Sequence, residues 1–170
     1  MEQAEPLLVR RALRGDRGAF SDLVAGHWTP LVRLARSVVG DADAEDAVQD
    51  ALVAAWRRLS SLRRPSAFSP WLSRVVVRVC FKRVRQRRPW LPLDDAPEPL
   101  AVTDPGGAVD VERLLAALAP RQRAVMHLTV VEGMSDSEIA AVLDISAAGV
   151  RAHRRRARES LGHLLNGARS

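Results

Sequence analysis

Hydrophobic residues recur at helical spacing along most of the chain, and this pattern predicts an all-α protein. Asp16 is a good N-cap for a first helix that runs to about Val39. Its apolar stripe consists of Phe20, Leu23, Val24, Leu31, Leu34 and Val38. A second helix is predicted from Asp41, and a third is predicted from the cap Ser66 to just before Pro89. The first half of the chain is therefore expected to be a small helical domain.

The remaining predicted helices follow the same spacing. The stripe of the second helix is Val48, Leu52, Ala55, Trp56 and Leu59, and that of the third is Trp71, Leu72, Val75, Val79 and Val84. Later in the chain, a short helix is predicted over Val111–Ala117 and another from Pro120, as its first residue, to Val131. Two more helices complete the chain, so the second half is expected to be a four-helix domain.

A segment rich in proline and glycine separates the two halves. Residues 89–109 contain five prolines and a Gly-Gly pair, together with four acidic residues and no basic one. Prolines at this density cannot sustain a helix. The sequence therefore predicts a domain at 1–88, a flexible acidic linker at 89–109 and a second domain at 110–170.

The last two predicted helices have the pattern of a helix-turn-helix. Ser135 caps the first helix, Glu138 completes a capping box, and Ser146 caps the second helix. The second helix of such a motif enters the major groove of DNA. Basic side chains suited to this task follow on it, namely Arg151, Arg155, Arg156 and Arg158. Arg154 departs from the pattern, because it lies four residues after Val150, where a core side chain is expected; it must extend to solvent, or the helix must roll.

Charge is segregated along the chain, although the net charge is only +6. Nine basic residues and no acid lie between Arg63 and Arg88, on and before the third helix. Basic residues interleaved with Trp71 and Phe81 indicate a surface that neutralises phosphates and stacks on an unpaired base. Trp71 itself is better explained as a core residue.

Several functional classes are not supported. Cys80 is the single cysteine, which excludes an internal disulfide framework and a multi-cysteine zinc site. The four histidines are scattered and no glycine-rich phosphate loop is present, so we expect no catalytic residues, no metal and no cofactor. No apolar run approaches the roughly 18 residues that span a bilayer. We therefore expect a cytoplasmic protein without membrane insertion.

Three segments resemble bacterial RNA polymerase sigma factors of the extracytoplasmic-function (ECF) group, group 4 of the sigma-70 family. They are residues 41–56 (DADAEDAVQDALVAAW), 66–72 (SAFSPWL) and 135–143 (SDSEIAAVL). The resemblance implies a transcription initiation factor, not an enzyme, that binds core RNA polymerase and directs it to promoters. Such a factor recognises the minus-ten and minus-thirty-five elements of promoter DNA and aids melting. The resemblance also implies an anti-sigma factor as a partner.

Site residues carry over from the family motifs position by position. The resemblance implies contact with core polymerase at Asp46, Gln49, Asp50 and Val53, which share a helical face opposite the apolar stripe. It implies minus-ten contacts at Arg63, Arg64, Arg74, Arg78 and Lys82, and minus-thirty-five contacts at Arg151, Ala152, Arg155 and Arg156, with Arg158 on the same helix. Arg78, Lys82 and Gly149 depart from the residues most members carry there.

A stand-alone helix-turn-helix regulator is the alternative. It would bind a palindromic operator as a symmetric dimer. It would leave the basic third helix without a role. The two promoter elements lie roughly 70 Å apart, about two helical turns of DNA, which one small domain cannot span. Two domains joined by an extended linker can reach both.

Overall fold

A computed structural model describes residues 4–87, 89, 93–94, 115 and 117–167. Within these residues the structure contains α-helices and short 3-10 helices but no strand, which confirms the all-α prediction. The helices are α1 (Ala4–Leu13), α2 (Arg17–Val39), α3 (Asp41–Arg58), the 3-10 helices Leu59–Ser61 and Pro65–Ala67, α4 (Phe68–Arg87), α5 (Pro120–Val130), α6 (Asp136–Leu143) and α7 (Ala147–Gly167). Most of the helix predicted over Val111–Ala117 lies outside the described residues. The chain divides into two compact units, Met1–Cys80 and Phe81–Ser170.

Helix α2 begins where the sequence predicts. The Asp16 side chain accepts a hydrogen bond from the Ala19 amide at 3.0 Å and another from Arg11 Nε at 2.9 Å. The Ala19 amide and the Arg11 guanidinium hold the pKa of the Asp16 carboxyl below its usual value. At the other end, Gly40 has φ +87°, a conformation that favours glycine and lets α3 start directly after α2.

Alanines form the buried face of α3. Ala44, Ala47, Ala51 and Ala55 are each buried, and this small-residue face lies in a unit where α2 packs against both α1 and α3. Small side chains let two helices approach closely. Since this face is buried, the polar residues of α3 lie on the opposite, solvent-exposed face.

Helix α1 was not predicted from the sequence. It buries Val9 and Ala12, and Glu5 pairs with His27 of α2 at 3.3 Å. A ten-residue helix with two fully buried positions gives a weak periodic signal. Its position is fixed by contacts with α2 rather than by its own pattern.

Two predictions for α4 were wrong. Ser66 does not cap it, because Pro65 starts a 3-10 turn over Pro65–Ala67 and the α-helix begins only at Phe68. The core face is also shifted. Of the predicted stripe only Leu72 is buried, and the other buried side chains of α4 are Phe68, Ser73, Val76, Val77, Cys80 and Phe81. Between Val75 and Phe81 every residue except Arg78 is apolar, so the periodicity of this helix did not distinguish the buried face.

Phe81 does not offer a stacking surface, contrary to the prediction. Its side chain is 8% exposed, and the Arg121 guanidinium lies 5.7 Å from the centre of its ring. A cation over the ring face occupies the surface that a base would need. Trp71 is half-buried, with its ring 6.0 Å from that of Phe68.

In the second unit, α5, α6 and α7 pack against one another. Pro120 is the first residue of α5, as predicted, and the Ala119 amide donates to the Gln122 side chain at 3.2 Å. The core consists of Leu118, Ala119, Ala124, Val125, Leu128, Ile139, Val142, Leu143, Val150 and Ala157, together with Leu93.

Part of the predicted linker is anchored to this unit. The Arg121 amide donates to the Leu93 carbonyl at 3.1 Å, and Leu93 is buried. The Arg121 guanidinium donates to both oxygens of Asp94, at 2.9 and 3.0 Å. Leu93 and Asp94 therefore belong to the second unit.

Candidate polymerase- and DNA-binding surfaces

The helix-turn-helix forms through the caps that the sequence predicts. Glu138 Oε2 accepts hydrogen bonds from the Ser135 hydroxyl at 2.6 Å and the Ser135 amide at 2.8 Å. These two bonds lower the pKa of Glu138. Asp144 closes α6 in the left-handed conformation at φ 58°, and Ser146 Oγ accepts from the Gly149 amide at 3.0 Å at the start of α7. Local cap chemistry therefore fixes both ends of the turn.

Gly149, where this chain departs from the residue that most family members carry, packs against the N-cap of α7. A Cβ at this position would lie 3.3 Å from Ser146 Oγ and 3.7 Å from Ile145 Cβ. A larger residue at this position would require the neighbouring atoms of the cap to shift by a few tenths of an ångström. Glycine thus fits close against the N-cap of α7.

The predicted minus-thirty-five residues share the exposed side of α7. Arg151, Arg155 and Arg158 follow at helical spacing, and the side chains of Arg151 and Arg155 are 60% and 73% exposed. Arg156 is exposed and Ala152 half-buried on an adjoining strip. Arg155 has one loose ion pair, with Glu159 at 3.7 Å. The five residues therefore form one continuous, mostly basic surface.

Arg154 is accommodated by an acidic partner that the sequence analysis missed. Its Nη2 lies 2.5 Å from Oδ1 of Asp136, and the Arg154 side chain is only 20% exposed. The other oxygen of Asp136 lies 3.6 Å from Nη1 of Arg151. An arginine at a core position signals that a partner is needed, but the partner lies 18 residues away in sequence. The structure identifies it.

The predicted minus-ten residues fall into two groups. Arg63 and Arg64 lie in the turn between the two 3-10 helices, and both are exposed. Arg74, Arg78 and Lys82 are spaced by four residues along α4 and form a line about 12 Å long. Arg78 and Lys82 are exposed, whereas Arg74 is half-buried. One group thus lies on a turn and the other on a helix.

The four residues predicted to contact core polymerase lie together on α3. Asp46, Gln49 and Asp50 are exposed, and Val53 is 53% exposed. Val48, on the opposite side of the helix, is fully buried. The structure thus presents an acidic helical face with one exposed valine.

The described residues contain no helix long and apolar enough to cross a membrane. In the same part of the chain, no group of three or more His, Cys, Asp or Glu side chains could hold a metal ion.

Comparisons with known proteins identify the family. Sigma-70 region 2 matches residues 23–89, and Sigma-70 region 4 matches residues 108–161. The ECF RNA polymerase sigma factor SigM of Mycobacterium tuberculosis is 35% identical over 168 residues, which cover 96% of this chain and 86% of that protein. The chain belongs to the ECF sigma factors. This ECF sigma factor is also 33% identical to the RNA polymerase sigma factor CnrH of Cupriavidus metallidurans, over 97% of this chain and 96% of CnrH.

Solved structures of ECF sigma factors share the fold. CnrH in complex with the cytosolic domain of CnrY superposes with a TM-score of 0.69 at 31% identity, over 96% of this chain and 97% of CnrH. The sigma factor RpoE, solved in complex with the anti-sigma factor NepR from Bartonella quintana, superposes with a TM-score of 0.67 at 24% identity, over 86% and 96% of the two chains.

The family resemblance and the predicted function are therefore confirmed. This ECF sigma factor is a transcription initiation factor that binds core RNA polymerase and directs it to specific promoters. The comparisons give no support to a stand-alone regulator.

Proposed function

We propose that this ECF sigma factor reads the minus-thirty-five element with the exposed face of α7. The residues are Arg151, Ala152, Arg155, Arg156 and Arg158. Arginine suits this role because its planar fork reaches guanine O6 and N7 with two hydrogen bonds and binds phosphates equally well. The observation that carries the proposal is the exposure of this row on the second helix of a fully capped helix-turn-helix.

A second surface binds the minus-ten element. It consists of Arg63, Arg64, Arg74, Arg78 and Lys82, all within the segment that matches Sigma-70 region 2. Arg78 and Lys82 carry charge where most family members have uncharged or acidic residues. Extra positive charge draws more of the affinity from phosphates, so binding here depends strongly on salt.

The third surface is the face of α3 formed by Asp46, Gln49, Asp50 and Val53, which binds core RNA polymerase. An exposed valine inside an acidic patch supports this role, because a contact of this kind combines apolar burial with charge complementarity.

The same proposal extends to organisation and regulation. The domains span 1–88 and 110–170 and are joined by 89–109, of which Leu93 and Asp94 are anchored to the second unit. The protein acts in the cytoplasm without catalytic activity of its own. An anti-sigma factor holds it inactive. The family matches support the domain limits and the lack of catalysis, and the CnrH complex supports the protein partner.

The first test mixes the purified full chain with core RNA polymerase. We expect a one-to-one complex on gel filtration that starts RNA at discrete sites on genomic DNA, whereas core polymerase alone does not. Aligned start sites then reveal both promoter elements. Binding of duplex DNA as a dimer, without association with polymerase, would overturn the proposal.

A further inference from the structure

Asp136 links the two helices of the helix-turn-helix through both of its carboxylate oxygens. Oδ1 accepts from Arg154 at 2.5 Å, and Oδ2 lies 3.6 Å from Arg151, one turn earlier on α7. We infer that Asp136 is a positioning residue that orients Arg151 and so sets the base preference of the minus-thirty-five surface. This inference rests on the proposed function of α7.

The position of the Asp136 carboxylate is fixed by its place at the start of α6 and by its ion pair with Arg154. Asp136 is the first residue of α6, where the helix dipole favours negative charge. Asp136 and Arg154 are both largely shielded, with side chains 27% and 20% exposed. Ion pairs shielded from water are screened less than exposed ones. Arg154 therefore holds the carboxylate in one place.

Arg151 is held more loosely by the same carboxylate. Its side chain is 60% exposed, and its separation from Asp136 exceeds hydrogen-bond distance. Arg151 is thus free to exchange Asp136 for a contact with DNA, while the nearby carboxylate restricts its rotamers before binding. Restricting a side chain before binding lowers the entropy lost on forming a contact of matching geometry.

The negative charge also selects among targets. A carboxylate beside Arg151 repels a phosphate and weakens the non-specific attraction of this arginine to the DNA backbone. Contact with a base edge then contributes a larger share of its binding. Asp136 therefore favours sequence discrimination over affinity for any DNA.

The test uses the full chain bound to core RNA polymerase. Its probe is a library made from one promoter found by run-off transcription, with the minus-thirty-five segment randomised and the transcribed templates sequenced. Arg151→Ala first identifies the base position that Arg151 reads. We expect Asp136→Asn to reduce the preference at that same position by about fivefold or more. Binding to non-promoter DNA should be unchanged or stronger.

Glu159→Gln is the matched control. It also removes one negative charge beside an arginine of α7. The Glu159 side chain is 57% exposed, whereas that of Asp136 is 27% exposed and is held by Arg154. We expect Glu159→Gln to leave the base preference unaltered. Asp136→Glu, which keeps the charge, should restore part of the preference.

A further variant controls for the possibility that Asp136→Asn unfolds the domain. Asp136→Asn leaves the shielded Arg154 guanidinium without its carboxylate, which destabilises the domain. The double change Asp136→Asn with Arg154→Leu removes both charges and should melt close to the native protein while losing the same preference. If Arg151→Ala abolishes the preference and a folded Asp136 variant keeps it, the inference is wrong and the proposed function stands. If Arg151→Ala itself has no effect, Arg151 does not read the element and the inference is wrong. The assignment of α7 fails only if Arg155→Ala also leaves promoter selectivity unchanged.

Discussion

At the scale of single residues, His153 is a buried titratable group of α7. Its side chain is 7% exposed, and Nε2 lies 3.5 Å from an oxygen of Asp94. Its Nδ1 is buried and has no hydrogen-bond partner within the described part of the chain. Burial lowers the pKa of His153, and the charges of Arg156 and Arg121 act in the same direction, against the attraction of Asp94.

This lowered pKa predicts acid sensitivity. Between the folded and unfolded pKa values of His153, the unfolded chain binds more protons. The contribution to stability is therefore fully present above the unfolded value of about 6.5 and is lost as pH falls through the folded value. Urea unfolding at pH 7.5 and 5.5 should show a decline that is smaller in His153→Leu. His163→Gln, at an exposed site on the same helix, should retain the full decline; an equal decline in all three proteins would contradict the assignment.

The sequence could not predict the environment of residues that contact partners far away along the chain. The sequence shows that Arg154 sits at a core position, but not that Asp136 would meet it, because that meeting depends on how α6 and α7 pack. Phe81 likewise has an aromatic side chain in a basic segment, yet it is buried under Arg121, 40 residues later in the sequence. Composition gives the chemistry of such residues and not their exposure.

At the scale of helices, the starts of helices were predicted correctly where the capping residue bonds to an amide close by in sequence. Asp16, Ser135 and Ser146 each accept a hydrogen bond within three residues, so their sequence context is sufficient. Ser66 was misassigned because Pro65 starts a 3-10 helix before it. Helix α1 was missed because its position depends on packing against α2.

The N-cap of α2 can be tested with two substitutions. Asp16→Ala removes the acceptor for the Ala19 amide and the partner of Arg11, so we expect the melting temperature to fall by about 3–6 °C. Asp16→Asn keeps an N-cap acceptor but loses the ion pair, so its melting temperature should fall much less. Thermal unfolding by circular dichroism measures both. Equal losses would show that the Arg11 pair, not the cap, stabilises this end of the helix.

The proposed recognition face of α7 can be tested at Arg155. Arg155→Ala should weaken binding of the polymerase complex to promoter DNA by about 1–3 kcal/mol if this side chain contacts a base. Competition against non-promoter DNA measures the specific part. Arg33→Ala, at an exposed position on α2, removes one positive charge as a control. An equal loss on both DNAs would assign Arg155 to a phosphate, and no loss on either would remove it from the surface.

At the scale of the whole molecule, basic and acidic side chains lie on different helices, as the proposed contacts with DNA and with polymerase require. The net charge of +6 includes basic residues grouped on α4 and α7 and an acidic face on α3. The order of these segments was readable from the sequence, because charge runs and family motifs are linear features. Which side chains of each segment reach solvent required the fold.

The acidic face of α3 yields the last prediction. Asp50→Arg reverses a charge at an exposed position, so it should leave the fold intact. Charge reversal at a complementary interface costs several kcal/mol, and we expect association with core RNA polymerase to weaken at least about 100-fold. Titration of labelled core enzyme measures the affinity. Asp22→Arg makes the same change at an exposed site of α2 and should bind normally, because a general effect of charge would weaken both variants alike. Normal binding by a folded Asp50→Arg protein would place the polymerase contact elsewhere on the molecule.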